Sequence, residues 1–195
     1  MQYATSTLLR RNTKANKADM ATALHTLGYL LQNSRYGLIL GKDPDGHLYG
    51  YVDSSHADQE GAKSTESFIF FYKGSPISWR SKAQSIVAPR SSLAEFIAWA
   101  SAVKEALFLK RLIEPVDGCI TEPILIYTNS ANALSLLNKP SYSPTLKGIG
   151  IRFFFVKDAV ADDLVRFEYV ASEENVADTK PLPGPKFDRF YAKLN

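Results

Sequence analysis

The chain has 195 residues, enough for one well-buried domain with an appendage and too few for two full-sized domains. Hydrophobic residues at 45% and charged residues at 22% exclude a disordered chain, and a net charge of +3 permits nucleic-acid binding without demanding it. A single cysteine, Cys119, excludes an internal disulfide framework and a CxxC zinc site, so a reducing compartment is expected. No apolar run approaches the ~20 residues needed to cross a bilayer, and the first residues lack a secretory pattern, so no membrane partner is expected.

In chain order, Met20, Leu24, Leu27 and Leu31 share one face of a helix with Asp19 as its N-cap or first-turn acid, and Gly37 closes the stretch. The basic residues before it (Arg10, Arg11, Lys14 and Lys17) read first as a solvated face. A turn at 42–46 leads into a strand at 47–53. Strands at 67–72 and 77–80 then flank Lys73-Gly74-Ser75-Pro76 as a hairpin with a longer loop. The period becomes helical at Ser91, with Leu93, Ile97, Ala100, Val103 and Leu107 on one face, and the helix is expected to end near Ile113, before Pro115. Residues 123–128 read as a buried strand, 130–137 as a short helix, 146–160 as another helix and 165–169 as a half-buried strand. Short helices at 174–180 and 186–194 complete the reading. Hairpins followed by alternating strands and helices imply an α/β fold with a five-stranded mixed sheet flanked by helices.

Metal-assisted phosphodiester hydrolysis needs acids converging from separate elements, since each ion must be held by oxygen ligands. Asp53 falls at the expected end of the first strand, where the plain alternative is a turn-initiating Asp beside Ser54 and Ser55. Glu95 opens the long helix, where Ser92-Leu93-Ala94-Glu95 also reads as a capping box. Asp178 lies near the C-terminus, where a surface acid is ordinary. None of the three is specific alone.

Their surroundings are specific. Tyr51-Val52-Asp53 is followed by Pro76-Ile77-Ser78-Trp79-Arg80-Ser81-Lys82-Ala83-Gln84, then by Ser91-Ser92-Leu93-Ala94-Glu95, and finally by Ala177-Asp178-Thr179-Lys180-Pro181-Leu182-Pro183. This series resembles the ribonuclease H signature of copia-type retrotransposon Pol polyproteins, in the family's order. Tyr29-Leu30-Leu31 and Tyr36-Gly37-Leu38 are similar to the family's connection from reverse transcriptase. The resemblance implies a reverse-transcriptase tail at 1–42, a ribonuclease H-like domain at 43–195, and two Mg²⁺ (or Mn²⁺) ions. It also implies cleavage of the RNA strand of an RNA–DNA hybrid during reverse transcription. The implied partners are the hybrid and the parent polyprotein's reverse-transcriptase domain. The implied location is the cytoplasm, in a virus-like particle, or the nucleus.

Carried over by position, the family's catalytic acids fall on Asp53, Glu95, position 129 and Asp178, with Asp53, Glu95 and Asp178 as metal ligands. Arg80, Lys82 and Lys147 are the expected nucleic-acid contacts. Position 129 departs from the pattern. The family has Asp there, and Asn129 offers a carbonyl oxygen but no charge; Asn129 or Ser130 would equally serve as a helix cap. Gly148 and Phe154 stand where the family has histidines, and the spacing around Asp178 is shortened. No Tyr-x-Asp-Asp polymerase motif occurs. Two readings follow: a hybrid-cutting nuclease impaired at Asn129, or a catalytically silent module that binds nucleic acid or a protein partner.

Overall fold

The computed structural model describes residues 2–35, 37–41, 43–44, 46–138 and 149–178, together with Pro185, Asp188 and Phe190. Helices α1 (Gln2–Arg10) and α2 (Lys17–Gln32) come first, followed by strands β1 (Tyr49–Ser55), β2 (Thr65–Tyr72) and β3 (Ser75–Ala83). Helix α3 (Ser91–Asp117) leads to β4 (Ile124–Thr128), α4 (Ala131–Leu137), α5 (Gly150–Ala161) and β5 (Val165–Tyr169). The five strands form one sheet in the order β3-β2-β1-β4-β5, antiparallel among β1, β2 and β3 and parallel among β1, β4 and β5. The expected five-stranded mixed sheet is therefore present.

The hairpin is tighter than expected. Lys73 and Gly74 both take positive φ (51° and 70°), the geometry of a two-residue turn whose twist matches the strands. Ser75 and Pro76 consequently belong to β3. A proline is tolerated there because β3 is an edge strand, and the register slips beside it, between Phe70 and Phe71. Gly50 sits opposite Phe70 in the centre of the sheet, where a Cβ would lie 2.5 Å from the buried ring.

Helix α3 is the core's spine. Its buried residues, Leu93 to Ile113, pack on the sheet and on α5, with Trp99 stacked on Phe167 at 4.3 Å and Phe96 against Phe153 at 5.0 Å. Burying each such ring is worth about 2–3 kcal/mol, and the ring pairs add about 0.5–1.5 kcal/mol. The helix does not stop before Pro115; Pro115 lies in its last turn, which is solvent-facing, and Gly118 at φ 92° ends it. A second cluster (Ile69, Phe71, Val176, Ala177 and Phe190) packs with Tyr49 and Tyr51.

Three further differences have physical causes. Helix α1 was not anticipated: its three hydroxyl residues mask an apolar pattern, yet Thr5 and Thr7 bond back to the carbonyls of Gln2 and Tyr3, and Ser6 Oγ donates to Ser81 O on β3. Helix α2 is capped by Asn16, whose side chain forms a capping box with Asp19 in the first turn. Its shared apolar face is real but solvent-facing, with Met20, Leu24, Leu27 and Leu31 each more than half exposed. The helix expected at 174–180 is a series of turns over its described residues. Lys147, Gly148 and most of 186–194 lie outside the described residues. Among those described, no helix is long and apolar enough to cross a membrane.

Candidate active site

Asp53 is not at the end of its strand. Strand β1 continues to Ser55, and Asp53 pairs with Ser67 in the ladder, so the turn-initiating reading does not apply. The residue is buried, at the middle of a five-stranded sheet.

Glu95 lies five residues into α3, which starts at Ser91, and the expected capping box does not form: the cap is Arg90, with no side-chain hydrogen bond. Glu95 is buried, and its Oε2 has no hydrogen-bond partner. Burial holds its carboxyl well above the usual carboxylate range, and the charge of nearby Asp53 pushes it further the same way. Two acids from different elements are thus close enough for the charge of one to raise the other, and one oxygen of Glu95 is unanswered.

Gln84 explains part of Glu95's placement. Its backbone N–H donates to Ser64 O at 2.7 Å, and its fully buried amide donates to the carbonyl of Ala94, the residue before Glu95, at 2.8 Å. The end of β3 is thereby tied to the first turns of α3. Sequence reasoning included Gln84 in the signature but gave it no task.

Position 129 follows directly on Thr128, which is paired with Val52, the residue before Asp53. Parallel pairing of β1 and β4 therefore brings positions 53 and 129 out side by side. The cap of α4 is Ser130, whose Oγ accepts from Ala133 N, so Asn129 is not the helix cap. Its amide donates instead to Ser172 Oγ at 3.2 Å.

Asp178 follows an anchor that sequence reasoning missed. Asn175 is fully buried; its Nδ2 donates to Val52 O at 3.0 Å and its Oδ1 accepts from Ala177 N at 3.1 Å. Ser67 Oγ, on the ladder partner of Asp53, donates to Ala177 O at 2.7 Å. The Asp178 segment is thus fastened across β1 and β2 at the level of Asp53. The available signal was a polar residue set just before Val176-Ala177 in a half-apolar stretch. Asn175→Ala is expected to cost about 2–4 kcal/mol, since it strands a buried carbonyl and a buried N–H at once. Urea denaturation at pH 7.5 would measure it, and a loss below 1 kcal/mol would show that the anchor is dispensable. Among the described residues no group of three or more His, Cys, Asp or Glu stands close enough to hold a metal ion, so Asp178 does not complete one with Asp53 and Glu95.

Arg80 and Lys82 lie on β3, with the Arg80 guanidinium over the Phe68 ring and Lys82 paired to Glu66 at 3.6 Å. The sheet order, the long helix across it and acids on β1 and α3 define a ribonuclease H-like fold. The structure is similar to that of LC11-RNase H1 isolated from compost, at a TM-score of 0.51 and 18% identity, covering 68% of this chain and 91% of that one.

Sequence comparison narrows the class. The Pol polyprotein of transposon TNT 1-94 of Nicotiana tabacum is 33% identical over 151 residues, covering 76% of this chain and 11% of that protein. The RE1 Pol polyprotein of Arabidopsis thaliana is 27% identical over 197 residues, covering 100% of this chain and 13% of that protein. No protein-family model matches the chain. The chain belongs to the family of retrotransposon Pol polyproteins and has a ribonuclease H-like fold, spanning about an eighth of the length of these relatives.

Proposed function

We propose that this copia-type domain grips an RNA–DNA hybrid, and that it cuts the RNA strand weakly or not at all because Asn129 replaces a metal-binding acid. The observation that carries the reading is the buried, mutually repelling pair of Asp53 and Glu95, with Glu95 Oε2 unanswered. Such a pair fits a hard divalent cation, Mg²⁺ or Mn²⁺, which takes oxygen ligands and cancels the repulsion. Asp53 and Glu95 would hold it, with the Asn129 carbonyl oxygen as a neutral donor; Asp178, on the segment fastened by Asn175, does not group with them. When bound, the ion supplies charge neutralisation at the scissile phosphate. The chain's own share is to fix the two carboxylates through Gln84 and the β1–β4 register, and to present Arg80 and Lys82 to the strand backbone.

The silent-module reading draws on a different fact. The Asn129 amide is engaged as a donor to Ser172, a structural use that a carboxylate could not make in the same sense. The exposed apolar face of α2 supports the parent polyprotein's reverse-transcriptase region as the protein partner.

The test uses a labelled RNA–DNA hybrid, with binding followed in EDTA and cleavage in Mg²⁺ and then Mn²⁺, for the parent chain, Asn129→Asp and Asp53→Asn. Binding by all three, with cleavage strengthened by Asn129→Asp and absent in Asp53→Asn, is the expected pattern. A parent chain that does not bind the hybrid at low salt would sink the proposal, and one whose cleavage survives Asp53→Asn would displace the site.

A further inference from the structure

Helix α2 stands apart from the core. Its one substantial neighbour among the described elements is α1. Its base is fixed by the Asn16 capping box and by Arg11, whose guanidinium donates to Asp19 at 3.1 Å. Beyond that base, a helix of 16 residues with Thr22, Thr26 and Gly28 inside it is marginal in water on its own. Most helical stability comes from burying an apolar face, and the face of α2 is open. Met20, Leu24, Leu27 and Leu31 are each more than half exposed, and Leu30 beside them is 47% exposed.

The pattern of that face says what covers it. Its apolar residues recur at spacings of four, three and four, the period of a coiled-coil seam rather than the broader stripe of a helix laid on a sheet. The seam is also its own complement, because its positions are symmetric about the point between His25 and Thr26. Two copies laid antiparallel therefore set Met20 against the partner's Leu31 and Leu24 against the partner's Leu27, as a two-fold interface requires. Charge does not oppose this pairing. No Asp, Glu, Lys or Arg occurs from Met20 to Gln32, and Asp19 already holds Arg11. The same lack of charge gives a charged partner nothing to recognise. Ala21 and Gly28 flank the seam, and a Cβ at Gly28 would meet no atom within 4 Å, so a second helix can approach closely. Along about 24 Å of helix, two copies bury on the order of 1,000–1,200 Å² in total, the lower edge of what a specific dimer needs.

We infer that α2 pairs with the α2 of a second copy of this chain, as an antiparallel coiled coil seamed by Met20, Leu24, Leu27 and Leu31. The acid pair lies outside this interface, so the pairing does not rest on the hybrid-binding reading. It competes for one face with the reverse-transcriptase region of the silent-module reading, and the symmetric, uncharged seam favours the second copy.

The experiment is sedimentation equilibrium of the parent chain from about 1 to 100 µM, with a dissociation constant on the order of 10 µM expected for an interface of this size. Leu24→Glu/Leu27→Glu sets like charges against each other and should weaken association by about a hundredfold or more. Leu24→Lys/Leu27→Glu sets opposite charges together only in the antiparallel arrangement, and should regain about tenfold of that loss. Leu112→Glu, at an exposed leucine of α3, should leave the dimer intact and so exclude general stickiness. Thermal melting establishes that each variant folds, and hybrid binding in EDTA should be the same for all of them. A parent chain that stays monomeric at the highest concentration would overturn the inference. If that monomer binds a separately prepared reverse-transcriptase region, the face belongs to that region instead. A dimer that survives Leu24→Glu/Leu27→Glu would place the contact elsewhere, and no recovery in Leu24→Lys/Leu27→Glu would overturn the antiparallel arrangement. Each of these failures leaves the hybrid-binding reading untouched, whereas loss of hybrid binding by the parent would leave the dimer standing.

Discussion

Asn129→Asp is expected to raise cleavage of an RNA–DNA hybrid by on the order of a hundredfold, about 2.7 kcal/mol of barrier. The substitution adds one full negative charge where β4 emerges beside Asp53. In a site whose chemistry depends on balancing the charge of a bound cation, that is a large local change. The fold should accept it. Ser130, not Asn129, caps α4, and the Ser172 hydroxyl can reverse its role and donate to the new carboxylate. The measurement is single-turnover cleavage in Mg²⁺, with Asn129→Asp/Asp53→Asn as the control that must fall back to the parent level. Equal cleavage by the parent and Asn129→Asp would mean that the missing charge is not what limits the site. Attention would then pass to Asp178, which does not join Asp53 and Glu95 in a three-acid group.

The order of elements was legible because each carries its own period or punctuation: alternation in β5, the i, i+3, i+4 face of α3, and the Lys73-Gly74 turn. The hairpin loop was misjudged because Pro76 reads as a strand breaker until β3 is known to be an edge strand. Asp53, Glu95 and position 129 were recoverable from their neighbours, yet the reasons for their placement were not. The Asn175 bond to Val52 and the Gln84 bond to Ala94 span 123 and 10 residues and obey no local rule. The capping box at Ser92 failed for a related cause: the first turn of α3 is held by tertiary contacts with Gln84, leaving Glu95 to face Asp53 rather than its own helix end.

Glu95→Gln is expected to make the metal-free protein more stable by about 1–3 kcal/mol at pH 7.5, because it removes a buried charge whose Oε2 nothing answers. The gain should depend on pH in one direction. Folding raises the Glu95 carboxyl above its ordinary value of 4.5, so below that value both folded and unfolded chains carry it protonated and no charge penalty exists. As pH rises past 4.5 the unfolded chain ionises first, and the folded state loses ground until the raised value is passed. The advantage of Glu95→Gln should therefore be small at pH 4, grow above it, and level off. Urea denaturation in EDTA at a series of pH values gives the curve; a pH-independent difference would show that Glu95 is not strained by its charge. Replacing EDTA with Mg²⁺ separates the functional from the structural meaning of that strain. A cation between Asp53 and Glu95 binds only the folded chain, so it should stabilise the parent in proportion to its occupancy and leave Glu95→Gln nearly unchanged. Equal stabilisation of both would place any bound ion elsewhere, and the orphaned carboxylate would lose its claim to be a ligand.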